Sequence, residues 1–431
     1  MVDSAPPTPH TTPSQFTCAG CGLHCDDVTV ERSGDDVRLH PPCELGAQWF
    51  SARAGRSASG PAATVGGQPA DIETALSRAA ELLRAARRPL LHGFDAATVE
   101  DVRAAVAVAD RLGAVMATDG VTGAWPGAPA IPLRGASTAT LGEIRDRSQL
   151  VVIWREDPQT THPRLLDRLG FGADSSAALP PARHPGSPEW AGAASSGWLS
   201  AERTLLVVDD RDTATARRAD LRLRWPREHD LEALTGLHAL QRRPALRGTE
   251  LALELEGLLE QVNAVPHATF VHGPGLTAGA GGQRRALALH ELVRALCHDR
   301  HVVTLALPDA AGTRGAQDVL TWQSGYPGNV DFANGHPELV TTTRPLAAAE
   351  GIDVSLRIEG APDNELAGVT EIVLSSLPAP EAEVSIRTAA AGVHAGGTAH
   401  RLDGVPLALQ APLPSDAPTA AALLTRLLEE L

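Results

Sequence analysis

Four of the chain's five cysteines fall within its first 43 residues, in the stretch Cys18-Ala-Gly-Cys21-Gly-Leu-His-Cys25-Asp-Asp and at Cys43. Thiolates spaced two and three residues apart can turn on one tight loop and face a single centre. A fourth thiolate, returned by a following hairpin, completes a set that suits an iron–sulfur cluster or tetrahedral zinc. Gly20 and Gly22 are expected to let the loop close tightly enough for the sulfurs to converge. The candidate metal ligands are therefore Cys18, Cys21, Cys25 and Cys43. Cys297, far along the chain, reads as a small buried hydrophobe in the middle of a helix.

Cysteines grouped as ligands, and not spread as a disulfide frame, point to a reducing cytoplasm. A formal charge of −15 argues against nucleic acid or an anionic membrane as the main partner. No apolar run approaches the length needed to cross a bilayer. Residues 1–15 are Pro/Thr-rich, lack a basic start and read as a disordered leader, not a secretory signal. At 431 residues the chain is too long for one ordinary core.

In chain order, Val28–Arg32 and Val37–His40 alternate about Ser33-Gly34-Asp35-Asp36 and predict a hairpin that leads back to Cys43. Residues 51–70 are rich in Gly, Ala, Ser and Pro and read as a connector closing a unit over 16–70. From residue 71 helices alternate with short apolar strands, which indicates βαβ units and a parallel sheet. Helices are expected over 72–86, 99–112, 231–240, 284–300 and 417–431, with strands at 89–93, 114–117, 150–154, 204–208, 268–272, 302–307, 354–358, 371–374 and 383–386. Residues 172–198 show no period and read as an exposed insertion. The stretch 322–337 reads mostly as loop.

Five segments, in this order along the chain, carry a resemblance. They are the Cys18–Asp27 loop, Thr140-Leu-Gly-Glu with Val151-Val-Ile-Trp, Asp157-Pro-Gln-Thr-Thr-His-Pro-Arg164, Leu320-Thr-Trp-Gln-Ser-Gly-Tyr-Pro with Val330-Asp-Phe, and Gly396–Pro406. Together they resemble the B subunit of formylmethanofuran dehydrogenase, within the molybdopterin oxidoreductase superfamily, and above all the B subunit of the bacterial formyltransferase/hydrolase complex. The resemblance implies an α/β fold: a small N-terminal β-rich four-cysteine subdomain plus two parallel-sheet α/β domains. The second of these, 137–310, would be inserted in the first, 71–136 plus 311–431, with a pterin-bound tungsten or molybdenum in the cleft between them.

Departures from the family pattern shape the expected function. In the redox members a Cys or selenocysteine followed by His-Gly-Pro ligates the tungsten or molybdenum, and the matching stretch here is Gly123-Ala124-Trp125-Pro126. Glycine has no side chain to ligate with. Where the family has a small Gly, followed two residues later by Asn, this chain has Trp154-Arg155-Glu156-Asp157, and Arg155 is expected to fill room that the cofactor's guanine dinucleotide would use. Asp157, Asp209, Arg211, Thr213 and Gly273 mark what the resemblance implies is a vestigial pterin cleft. Ordinary strand-to-helix turns account for these loops as well.

Three functions are compatible with the sequence. The expected one is a non-redox scaffold of a formyltransferase/hydrolase complex in tetrahydromethanopterin-linked one-carbon metabolism, joining the A, C and D subunits. In such a complex, zinc-dependent hydrolysis and formyl transfer belong to other polypeptides. The 16 histidines here are scattered, with no His-x-His pair. The alternative is a working tungsten or molybdenum formylmethanofuran dehydrogenase chain with a [4Fe–4S] cluster and pterin, its metal held by Thr122 or Asp119. The third is an iron–sulfur electron-transfer module whose α/β domains are inactive.

Overall fold

Apolar runs bounded by glycine and polar turns fold here into two large sheets, beside two two-stranded hairpins, Thr29–Ser33 with Asp36–His40 and Gly397–His400 with Pro406–Leu409. The computed structural model describes residues 15–33, 36–54, 60–118, 130–172, 203–243, 250–340 and 351–431. The expected leader (but for residue 15), the insertion beyond residue 172, and Asp119, Thr122 and Gly123 lie outside the described residues.

The smaller sheet has five strands in the order His301–Ala306, His267–His272, Leu150–Trp154, Thr204–Val208 and Leu221–Leu223. Every pairing in it is parallel. Its central strand shows why the run Leu150–Trp154 is apolar without interruption. Val151 and Ile153 join a core shared with Phe16, Leu23 and Phe50 of the cysteine unit, while Leu150, Val152 and Trp154 pack against helices on the other face. A strand covered on both faces needs apolar residues at every position. The covering helices are Asp230–Arg242, Glu250–Asn263 and Gly282–Leu296. Glu250–Asn263 has no counterpart in the sequence expectations.

The larger sheet has nine strands. Five of them run parallel, in the order Val115–Met116, Pro89–Gly93, Val354–Ile358, Thr370–Ser375 and Val384–Arg387. Short antiparallel strands close both edges. The strands of the smaller sheet fall in sequence between Val115–Met116 and Val330–Asp331, which are neighbours in the larger one. Helices Ile72–Ala85, Val99–Leu112 and Ala420–Glu430 cover the larger sheet. Thr98 starts the second with a capping box: its hydroxyl accepts from Asp101 N, and the Asp101 carboxylate accepts from Thr98 N.

Several expectations need correction. The segment 51–70 is not a plain connector: helix Glu44–Ala54 runs into it, and Ala63–Val65 with Gln68–Ala70 form a hairpin on the edge of the larger sheet. Gly66 and Gly67 both take positive φ in its two-residue turn, so glycines that suggested a linker mark a tight hairpin. Trp322 sits in helix Thr313–Ser324, not in a loop. Cys297 caps the C-terminus of Gly282–Leu296 instead of lying mid-helix, is half-buried, and donates from Sγ to Val302 O at 3.0 Å.

Candidate functional site

The cysteine loop is closed by its own backbone. Cys18 N donates to Cys25 O at 2.9 Å, and His24 N donates to Cys21 O at 3.1 Å. Helix Glu44–Ala54 begins immediately after Cys43 and brings Gly46 against the loop. The four cysteines, all free thiols, line one small cavity of about 10 Å³. Gly46 permits this convergence. A Cβ there would lie 3.2 Å from Cys18 Sγ, 3.7 Å from Cys43 Sγ and only 2.7 Å from a Leu39 methyl. Gly46 was not among the glycines singled out in the sequence. Of those that were, Gly22 matters because a side chain would meet the Pro308 ring at 2.7 Å.

Backbone N–H groups of Gly20 and Gly46 point at Cys18 Sγ and Cys43 Sγ, at 3.4 and 3.5 Å. Burial pushes the Cys18 and Cys21 thiols up to about 12, with the neighbouring cysteines adding to the rise. Left alone these sulfurs keep their protons, and a bound cation would supply the charge that thiolates need. Arg164, at the cavity wall, is held by a bidentate pair with Asp27 at 2.7 and 2.7 Å, which ties the cysteine loop to the segment that follows strand Leu150–Trp154. Among the described residues, no group of three or more His, Cys, Asp or Glu side chains is disposed to hold a single metal ion.

A second locus lies at the C-terminal ends of the smaller sheet's strands, where open α/β sheets bind ligands. The structure brings together the five residues singled out for the vestigial cleft, and their polar groups engage protein partners. Asp157 accepts from Thr215 N at 2.9 Å and from its hydroxyl at 2.5 Å. Asp209 accepts from Arg211 N at 2.9 Å and from its guanidinium at 2.8 and 3.0 Å. Thr213 Oγ1 accepts from Ala216 N at 3.0 Å, and Gly273 caps the short helix Pro274–Thr277.

Arg155 behaves differently from the expectation that it would fill open cleft space. It sits at φ +59°, only 2% exposed, and turns into the protein. Its guanidinium donates to both carboxylate oxygens of Asp230 at 3.0–3.2 Å, to Asp210 at 2.8 Å and to Trp225 O at 2.6 Å. Trp154 and Trp225 donate their indole N–H groups to the same Asp230 oxygen at 3.0 and 2.9 Å. The next residue, Glu156, accepts from Gly275 N at 2.6 Å; burial pushes its carboxyl up to about 7, and Asp309 adds to the rise.

The turns 154–157 and 273–278 therefore press against each other. A Cβ on Gly275 would lie 1.8 Å from Arg155 O and 2.7 Å from Glu156 Oε1. Gly275→Ala is expected to destabilise the chain by about 1–3 kcal/mol, because the obstacle is backbone that cannot step aside. Urea unfolding of the purified variant checks this, and an unchanged midpoint would count against the contact.

Between the two sheets lies a larger cavity of about 300 Å³, with His272, His290, Asp95 and Asp309 in its wall. None of these four was singled out as a site residue. A signal was present: His272, Asp95 and Asp309 each stand at or just beyond the C-terminal end of a parallel strand, the position where such sheets place ligand contacts.

No family model matches the chain. It is 27% identical to the B subunit of the tungsten-containing formylmethanofuran dehydrogenase 2 of Methanocaldococcus jannaschii, over 91% of this chain and 92% of that protein. The corresponding protein of Methanococcus maripaludis is 25% identical over the same shares. Among solved structures, acetylene hydratase from Pelobacter acetylenicus shares the fold, with a TM-score of 0.51 at 10% identity, covering 97% of this chain and 70% of that one. A chain of the formyltransferase/hydrolase complex (FhcABCD) from Methylorubrum extorquens, solved in complex with methylofuran, superposes with a TM-score of 0.68 at 26% identity, covering 85% of this chain and 98% of that chain.

The class is thus a mixed α/β protein with parallel sheets, of the kind seen in acetylene hydratase and in the formyltransferase/hydrolase complex. Within that class this chain is similar, along nearly its whole length, to the B subunit of formylmethanofuran dehydrogenase. None of the described helices is long and apolar enough to cross a membrane.

Proposed function

We propose that this chain is a non-redox, structural component of a formyltransferase/hydrolase complex, joining its A, C and D subunits. The reading takes its main support from the Arg155 network. The turn that would have to accept the guanine dinucleotide of a pterin cofactor is instead knotted to Asp230, Trp154 and Trp225, and its neighbours Asp157, Asp209 and Arg211 engage protein partners. Glu156, Asp95 and Asp309 add carboxyl groups where a pyrophosphate would need cations. These residues do not fit a pterin dinucleotide, and the sequence offers Gly123 at the ligand position.

The four-thiol site is a separate matter, and its four cysteines are the residues that would hold a [4Fe–4S] cluster. Four sulfurs facing a shared cavity, two of them approached by backbone N–H groups, suit a group that fills the space between them. When bound, such a cluster supplies reversible one-electron chemistry; here it would also knit the cysteine loop to helix Glu44–Ala54.

Metal and pterin analysis of the purified protein tests both statements. The expected result is about four irons per chain, with neither tungsten, molybdenum nor pterin. Tungsten or molybdenum with pterin, or oxidation of a formyl carrier coupled to dye reduction by this chain, would overturn the structural role. Zinc alone would replace the cluster with a structural clip. Cys21→Ser is expected to loosen residues 16–50 toward protease, and unchanged resistance there would speak against any bound metal.

A further inference from the structure

We propose that the cavity between the two sheets binds the ammonium group of a small organic amine, with Asp309, Asp95 and His272 accepting hydrogen bonds from its N–H groups and apolar walls holding its carbon body.

Among the described residues the cavity wall carries several hydrogen-bond acceptors. His272 is 3% exposed, and neither of its ring nitrogens has a hydrogen-bond partner. His290, 5% exposed, stands edge-on to it at 6.0 Å with its own Nδ1 unpartnered. Burial, with His290 nearby, pushes His272 down to about 3, so the ring is neutral and carries a free lone pair. An unpaired buried ring of this kind costs stability unless a ligand completes its hydrogen bonds.

Three of the five threonine hydroxyls in the wall are already spent as donors. Thr277 donates to Gly273 O at 3.0 Å, Thr304 to Ser137 O at 3.1 Å, and Thr118 to Pro327 O at 3.4 Å. Only their lone pairs remain to face the cavity.

Charge points the same way. Among the described residues Asp309 has no hydrogen bond or ion pair. Asp95 accepts from Ala361 N at 2.8 Å; burial raises both carboxyls, and Asp95 lies close enough to add to the rise at Asp309. The guanidinium that reaches the wall, Arg314, is engaged by Asp318 at 3.0 Å, and the wall's other carboxylate, Asp403, is neutralised by Arg401 at 2.7 and 2.8 Å. Those pairings leave Asp95 and Asp309 as the wall's carboxyls without an ion pair among the described residues. A metal ion is the wrong cation, because among the described residues no three His, Cys, Asp or Glu side chains are placed to hold one. Ile131, Leu305, Leu307 and Leu402 line the rest, which suits an apolar body behind a cationic head.

The inference rests on the structural role above only in requiring a cavity free of pterin. Cyclohexylamine, with cyclohexanol as neutral and cyclohexanecarboxylate as anionic counterpart, tests it by titration calorimetry on the full chain. The amine is expected to bind at least about tenfold more tightly than the alcohol, with the carboxylate weakest. Asp309→Asn should abolish most of that preference, and Asp95→Asn gives the same readout if the first variant does not fold. Equal binding of amine and alcohol, or an unchanged preference in the folded variants, would overturn the inference. Pterin found in the preparation overturns the functional role instead; absent amine binding in pterin-free protein overturns this proposal alone.

Discussion

Arg155→Ala is expected to lower the unfolding free energy by about 3–5 kcal/mol, the range for stripping one partner from a buried ion pair. The size follows from what remains behind. The Asp230 side chain has no exposed surface, and without Arg155 its carboxylate keeps two indole N–H groups but no direct ion pair among the described residues. Trp225 O loses its donor as well. Urea unfolding followed by tryptophan fluorescence reads this out locally, since Trp154 and Trp225 flank the pair at 5.6 Å between ring centroids. Asp210→Asn, which touches the same guanidinium from a half-exposed position, should cost no more than about 1 kcal/mol. A double cycle with Asp230→Asn isolates the coupling, and a coupling near zero would remove the network from any account of why this turn is closed.

How much of this could be read in advance depended on the range over which the information is spread. The longer parallel strands of both sheets were legible because burial on two faces writes itself as consecutive apolar residues, as in Leu150–Trp154 and Val354–Ile358. The convergence of Cys18, Cys21, Cys25 and Cys43 was legible for the same local reason, although Gly46, which makes the space, was hidden inside an ordinary helix. The edge hairpin at 63–70 was not. Its residues are mostly half-buried or exposed, so no apolar alternation marks it.

Side-chain partnerships were the least visible. Arg155 could be recognised as an intruder in a turn, but its partner Asp230 lies 75 residues away and begins a helix, where an acidic residue needs no special explanation. The cavity of His272, Asp95 and Asp309 is assembled from three strand ends in two sheets. Only the topology puts them in one place.

His92 carries the second large effect, and it grows as the pH falls. The residue lies in the strand Pro89–Gly93, 2% exposed, with Nε2 unpartnered and Arg357 as its direct neighbour on the adjacent strand. Burial first, and the Arg357 charge second, push the imidazole down to about 3. A depressed histidine is neutral when folded, while the unfolded chain takes up a proton near its ordinary value of about 6.5. The stability associated with His92 is therefore fully present above about 6.5 and drains away as the pH falls toward 3, at about 1.4 kcal/mol per pH unit. His92→Leu, close in volume and without a proton to bind, should lie within about 1 kcal/mol of the parent at pH 7.5. At pH 4.5 it should be the more stable of the two by about 3 kcal/mol. Taking the difference between the two proteins removes the opposing contribution of Glu156, whose raised carboxyl favours the folded chain as acid is added. Paired urea titrations at several pH values measure that difference, and two curves that stay parallel from pH 7.5 to 4.5 would mean that the buried ring finds a proton as easily inside the sheet as in water.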